Sequence, residues 1–280
     1  ILAAGSSSCI GSKTWPPYDM IMISLTSSRF IFHSWNILQL IINILCEYSY
    51  YEENIYVVFS TGYMFLNCSS LWFGAWLSVF YCIKVGSFTH SFFIWLKLRI
   101  ARLVPWILLA SWFCSVAAAI PYAWRVYRVH NFTAPLSMTN SSVMRTARKD
   151  TLALLIYLCN ASTVLPFTLS VASSILLIWS LCVHTRRMQN NASGFRDPSL
   201  EAHMKAIKSV CSFLILYIIF FICLLLFLCR YFLPQSNEES ICVALFIACP
   251  TAHTFVLIWS NPKFQELPAR IWHQITFRVR

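Results

Sequence analysis

Six long apolar runs divide the chain, at residues 20–46, 55–83, 103–124, 151–183, 210–229 and 241–261. The second carries no charge over its 29 residues, and the first is apolar except for Arg29 and a few polar side chains. About 20 mostly apolar residues cross a hydrocarbon core as a helix, and longer runs tilt or extend beyond it. Transmembrane strands would alternate over short segments, whereas FLILYIIFFICLLLFLC (residues 213–229) is apolar all round. A buried helix in a soluble protein can look like that once. Six recurrences predict an all-α membrane protein. Between the runs stand polar islands, of which HTRRMQNNASGFRDPSLEAH (residues 184–203) is the clearest. It reads as a loop between two spans.

Polar residues inside the runs are the candidate chemistry, because a charge at membrane depth is costly and marks function by default. Arg29 is the one Lys or Arg well inside a span. It reads as an interhelical anchor, with Ser260 or Asn261 as partners, or as a side chain snorkelling to the headgroups. Asp19 already marks the interface more than two helical turns earlier, which favours the anchor. Tyr63, Asn67 and Ser70 follow i,i+4 and i,i+3 spacing and share one helix face. That face is either a pocket wall with an amide handle and an aromatic plate, or polar glue between helices. Pro166 and Pro250 interrupt two other runs; such kinks border cavities but are also common in membrane helices.

Composition agrees with the membrane reading. The chain of 280 residues is 58% hydrophobic and 11% charged, where soluble domains carry about a quarter charged residues. Its formal net charge of +11 would raise nucleic-acid binding in a soluble chain, but no nucleic-acid module is present. The 12 cysteines sit mostly inside apolar runs as small hydrophobes and include no CxxC pair. The charges also set orientation. With six spans, fourteen Lys and Arg fall on one side, among them Lys97, Arg99, Arg102, Arg186, Arg187, Lys205 and Lys208, and six on the other. The richer side is expected to be cytoplasmic. The segment from Arg125 to Asp150 dissents, with five basic residues on the outer side. The acceptor triplets at Asn131 and Asn140 lie in this outer segment and are the expected glycosylation sites. Those at Asn67 and Asn160 fall within spans, and Asn191 falls on the cytoplasmic side.

Catalytic and metal signatures are lacking: there is no HExxH, no GxSxG and no phosphate-cradling loop, and Gly totals 6. His184 and His203 lack metal-ligand spacing. The chain is therefore not read as an enzyme, and no cofactor or metal is expected. A six-span transporter or channel is the rival class; it would place charges along a pathway in several spans or show an internal repeat.

Several stretches resemble the type 2 taste receptors, the bitter receptors. LWFGAWLSVFYCIKVGSFTHSFFIWLKLRI (residues 71–100) is similar to their third helix and second intracellular loop. LPFTLSVASSILLIWSLCVHTRRMQ (165–189) is similar to the fifth helix, and GFRDPSLEAHMKAIKSVCSFLILY (194–217) to the third intracellular loop and sixth helix. HTFVLIWSNPKF (253–264) resembles the end of the seventh, and DMIMISLTSSRF (19–30) the second, with Arg29 on the family's intramembrane arginine. FYCIKV stands where rhodopsin-like receptors carry Asp-Arg-Tyr, and residues 125–150 hold no Cys. Both departures suit the bitter class, with a pheromone-type receptor as the nearer rival.

The resemblance implies a seven-transmembrane G-protein-coupled receptor bundle with six complete helices in this chain. Residues 1–18 are expected to be a doubtful remnant of the first helix and first intracellular loop, 19–262 the bundle, and 263–280 a cytoplasmic tail. The implied partners are bitter small-molecule agonists, gustducin-type heterotrimeric G proteins and membrane lipids, and no nucleic acid. Asn67 matches the family's third-helix asparagine implicated in agonist contact, Tyr63 lies one turn outward, and Phe220 falls at a pocket position of the sixth helix. Ser70 joins them from the shared face, and Trp35, Gln39, Thr163 and Phe246 from depth and facing. The seven basic residues from Lys97 to Lys208 named above form the expected G-protein face.

Overall fold

The computed structural model describes residues 16–45, 53–86, 90–131, 142–191, 198–228 and 236–260. They form six helices: α1 (Pro17–Leu45), α2 (Glu53–Val85), α3 (Ser91–Asn131), α4 (Ser142–Asn191), α5 (Pro198–Leu228) and α6 (Asn237–Ser260). No strand occurs among the described residues. The expected tail at 263–280, Asn140 and the residues before 16 lie outside them.

Five helices contain stretches long and apolar enough to cross a membrane: Val57–Val85, Ser91–Ile120, Ser162–Arg186, Ile207–Leu226 and Ser240–Ile258. The first expected span behaves differently. Its helix, α1, has 29 residues, about 44 Å at 1.5 Å per residue, but does not reach that apolarity. Arg29, His33, Asn36 and Gln39 lie along it. It holds its place through one packed face, with Ile21, Met22, Leu25 and Phe32 buried.

The helices also run further than the apolar pattern suggests. α3 continues to Asn131 and α4 begins at Ser142, so much of the expected outer loop 125–150 is helical. α4 likewise carries the polar island through Asn191, and α5 resumes at Pro198. Polarity marks where a chain leaves the apolar layer. It does not mark where backbone hydrogen bonding stops, and a proline is well accommodated in a first helical turn. The island is thus two helix ends joined through residues 192–197.

α2 is the central element, packing against α1, α3 and α4. Its apolar window is 67% buried, against 22–39% for the other four. Outward-facing apolar side chains such as Trp106 and Phe113 on α3 and Trp179 on α4 form the surface a multi-pass protein presents to lipid. Hydroxyls inside the bundle bond mainly to their own helix: Thr26 Oγ1 donates to the Met22 carbonyl (2.7 Å) and Ser69 Oγ to that of Phe65 (2.8 Å). Such back-bonding hides polar groups where no water is available.

Two large buried clusters fill most of the interior. One, toward the Asp19 end, joins Ile21, Leu25, Phe73, Leu77, Val104 and Leu257. The other joins Phe32, Leu66, Leu71, Phe220, Leu224 and Phe246. The α1–α2 contact is tight at Gly62, where a Cβ would meet the Trp35 ring at 2.5 Å. Trp35 also donates from Nε1 to the Phe59 carbonyl at 3.1 Å, so the indole cannot swing away without losing a bond. Gly62→Ala is therefore expected to destabilise the detergent-solubilised protein by about 1–3 kcal/mol, the usual cost of overpacking. Combining it with Trp35→Leu should cost less than the sum of the single changes, checked by thermal unfolding of all three variants.

Candidate functional site

The site is built where the second cluster meets Arg29. Arg29 is buried at 6% exposure, and its Nη1 donates to Thr254 Oγ1 at 2.9 Å. Thr254 donates its own proton to the Pro250 carbonyl (2.9 Å), leaving a lone pair for the guanidinium. One turn along, His33 Nε2 meets Thr251 Oγ1 at 3.1 Å. Arg29 and His33 are four apart and Thr251 and Thr254 three apart, so both pairs lie along one seam between α1 and α6. The expected partners Ser260 and Asn261 have side chains outside the described residues; the observed partner is about two turns away from them.

A chain of aromatic rings runs through the bundle above this seam. Phe32 of α1 lies 5.3 Å from Tyr63 of α2, which lies 6.1 Å from Phe246 of α6. Phe246 stacks on Phe220 of α5 at 4.7 Å. Phe220 is followed by Tyr217 at 6.3 Å, and Tyr217 stacks on Phe167 of α4 at 5.7 Å. Five helices are linked through ring faces and edges at separations that favour attraction. Tyr217 also donates its hydroxyl to the Leu71 carbonyl of α2, at 3.3 Å.

Beneath the rings lies a cleft of about 310 Å³, including its open mouth, walled by Arg29, Ser70, Tyr217, Phe220, Pro250 and His253 among others. Its walls are mostly apolar with a few polar groups, the character of a small-molecule site. A second space of about 250 Å³ follows toward the Asp19 end. It is lined by Ser78, Ser170 and Ser174, and shares Tyr217 and His253 with the first. Ser78 and Ser170 are in contact at 3.2 Å.

The residues singled out from sequence separate on this frame. Trp35, Tyr63, Phe220 and Phe246 belong to or pack on one cluster, and Ser70 and Phe220 wall the cleft. Asn67 is buried at 2% exposure, one turn from Ser70 and Leu71, with its Nδ2 unpaired among the described residues. Gln39 is half-buried one turn beyond Trp35. Thr163 is fully buried on α4, next to Ser162, whose Oγ lies 3.8 Å from Cys68 Sγ. Trp35, Gln39, Tyr63, Asn67, Thr163 and Phe246 are not among the described cleft residues. His253, Thr254 and Tyr217 were not singled out from sequence. Their signal was available as polar side chains within apolar runs, Thr251 and Thr254 at helical spacing.

At the Asp19 end of the bundle, Cys82 of α2 packs with Leu177 and Leu181 of α4 and with Ile207 and Val210 of α5. Basic residues stand on three helices toward that end. Lys97, Arg99 and Arg102 are exposed on α3, as are Arg186 on α4 and Lys208 on α5. The Arg99 guanidinium lies 5.2 Å from the Trp95 ring centre, and the Lys84 ammonium lies 5.4 Å from the Phe80 ring centre. The side chains of Arg187, Lys205 and Asn131 lie outside the described residues.

A helical bundle with five apolar spans, a buried arginine and an aromatic-walled cleft defines a multi-pass membrane protein. Comparison with known proteins narrows the class. A family model described as taste receptor protein matches residues 1–275. Taste receptor type 2 member 40 of Gallus gallus is 55% identical over 281 residues, covering 100% of this chain and 90% of its own. Taste receptor type 2 member 39 of Papio hamadryas is 33% identical and that of Homo sapiens 32%, each covering 100% of this chain and 81% of its own. The chain belongs to the type 2 taste receptor family, whose members are G-protein-coupled receptors and not enzymes.

The Arg29–Thr254 bond is a sharp point of dependence, because a hydrogen bond to a charged group contributes more than a neutral one. Thr254→Val is expected to lower the stability of the solubilised receptor by roughly 1.5–3 kcal/mol. Thr254→Ser, which keeps the hydroxyl, should lose much less in the same thermal-unfolding measurement.

Proposed function

We propose that this chain is a receptor for bitter small molecules that bind in the aromatic cleft between α2, α5 and α6 and signal through gustducin-type heterotrimeric G proteins at the basic end of the bundle. The observation that carries the reading is the convergence of Tyr63, Phe220 and Phe246, from three helices, above a cleft holding Ser70 and Arg29. Such a site is apolar and aromatic with few polar handles, which suits chemically diverse, weakly polar ligands.

The mechanism is a two-state bundle. An agonist favours one packing of α5 and α6 to the extent that it binds that packing better. The ring chain is the element it would disturb, since Phe220 and Tyr217 stand on α5 and Phe246 on α6. Lys97, Arg99, Arg102, Arg186, Arg187, Lys205 and Lys208 supply the positive surface for the G protein, in an orientation with the Asp19 end in the cytoplasm. A cellular calcium assay against a panel of bitter compounds tests the reading. A surface-expressed receptor that answers none of the panel would overturn it.

Asn67 belongs to this proposal as a hydrogen-bonding contact for agonists. Its Nδ2 has no partner to lose among the described residues, so Asn67→Ala should leave surface expression intact. It should weaken agonist potency about three- to tenfold, the worth of one hydrogen bond. Unchanged potency across several agonists would remove Asn67 from the site.

Orientation is tested separately through glycosylation. Asn131 and Asn140 are proposed to face outward and Asn191 inward. A glycosidase-sensitive mass shift should therefore survive Asn191→Gln and disappear in the Asn131→Gln, Asn140→Gln double variant, as read by gel mobility.

A further inference from the structure

The polar groups around the cleft are unequal in kind. Arg29 brings a permanent positive charge, and its Nε has no hydrogen-bond partner among the described residues. Asn67 Nδ2, one turn above Ser70 and outside the cleft wall itself, is likewise an unpaired donor. His253 lies on the same wall with its Nδ1 unpaired. Tyr217 has its hydroxyl proton committed to the Leu71 carbonyl. Acids do not balance this set. No Asp or Glu occurs within the five apolar spans or in α1 beyond Asp19. Asp19 is ten residues from Arg29 on the same helix, about 15 Å along the axis. The guanidinium thus has one neutral hydroxyl as its described hydrogen-bond partner, in surroundings where charges are weakly screened.

An excess of donors with a fixed positive charge and no carboxylate discriminates by charge. A protonated amine brought into the cleft meets repulsion from Arg29 and finds no anion. A carboxylate, sulfonyl or carbonyl group brings acceptors to donors that otherwise stand unanswered, and an unanswered buried donor is costly. We propose that the cleft selects ligands that carry a hydrogen-bond acceptor, anionic above neutral, and rejects protonated amines. This rests on the reading of the cleft as the agonist site and specifies the chemistry of its ligands.

The experiment uses three compounds on one scaffold: 4-phenylbutanoate, its methyl ester, and 4-phenylbutylamine. They share the apolar part and differ in the sign of the polar end. Each is tested for activation, and for block of a panel agonist, in cells expressing the full chain. The carboxylate is expected to act at a concentration about tenfold or more below the amine, with the ester between them, since like charges in a weakly screened site are disfavoured. Arg29→Gln should narrow the gap. Ser70→Asp, which places a carboxylate on the cleft wall, should narrow or reverse it.

An amine as potent as the carboxylate in the wild-type receptor overturns the proposal. So does an undiminished gap between carboxylate and amine in a variant that reaches the surface. If neither variant reaches the surface, the wild-type order decides. Silence from all three compounds in a receptor that answers a panel agonist overturns this inference and leaves the receptor reading intact. Silence toward the whole panel overturns both.

Discussion

A guanidinium inside an apolar bundle must be met by the protein itself, because lipid offers it nothing. Arg29 is placed between the two buried clusters, at the level where the Ile21–Leu25 packing gives way to the Phe32 packing. Its bond to Thr254 and the neighbouring His33–Thr251 contact tie α1 to α6, helices that share only a short seam. Thr254 can accept because its own proton goes to the Pro250 carbonyl. The proline contributes a second consequence: having no N–H, it leaves one place in the α6 ladder open, beside the cleft it helps to wall.

The cleft lies beside a series of small residues on α2. Gly62 admits the Trp35 ring, and Ser69, Ser70, Gly74 and Ser78 follow along the same helix. Small residues of this kind let membrane helices approach closely. α1, α3 and α4 pack directly on α2; the close approach is at Gly62, whereas Gly74 faces open space. α5 reaches it by a long side chain instead, Tyr217 to the Leu71 carbonyl. A helix held off by a tyrosine leaves space beside the tyrosine, and both described cavities have Tyr217 in their walls.

The positions of the helices were legible in the sequence, and their ends were not. Apolar runs locate the membrane layer, but α4 reaches Asn191 and α3 reaches Asn131 through polar residues, since a helix leaving the layer has no physical reason to stop there. The face Tyr63–Asn67–Ser70 could be read from helical spacing alone. That Ser70 would wall a cleft while Asn67 sat one turn above it depends on where α5 and α6 stand, and nothing in the pattern of α2 encodes that. The same holds for Arg29. Its cost in lipid announced that a partner was needed, but Thr254 lies 225 residues away on a helix whose rotation the apolar pattern leaves undetermined. α1 shows the opposite limit: a run that looked like a span is a helix too polar to meet the apolarity of the other five.

The ring chain connects the proposed ligand site to the proposed signalling end without needing a separate relay. Phe220 and Lys208 stand on one uninterrupted helix, twelve residues apart and therefore about 18 Å. Phe220 is stacked on Phe246 of α6 and, through Tyr217, linked to Phe167 of α4. A ligand wedged between Tyr63 and Phe220 cannot displace one ring alone, because close-packed interiors have discrete rather than continuous alternatives. It must choose among arrangements in which α5 shifts against α4 or α6. On the proposed reading, a tilt of α5 that relieves the rings at one end moves Lys208 against Arg186 and the α2 terminus at the other, where Cys82, Leu181 and Val210 pack together. The apolar contacts at that end are the fulcrum, and the basic residues around them are what a G protein would feel move.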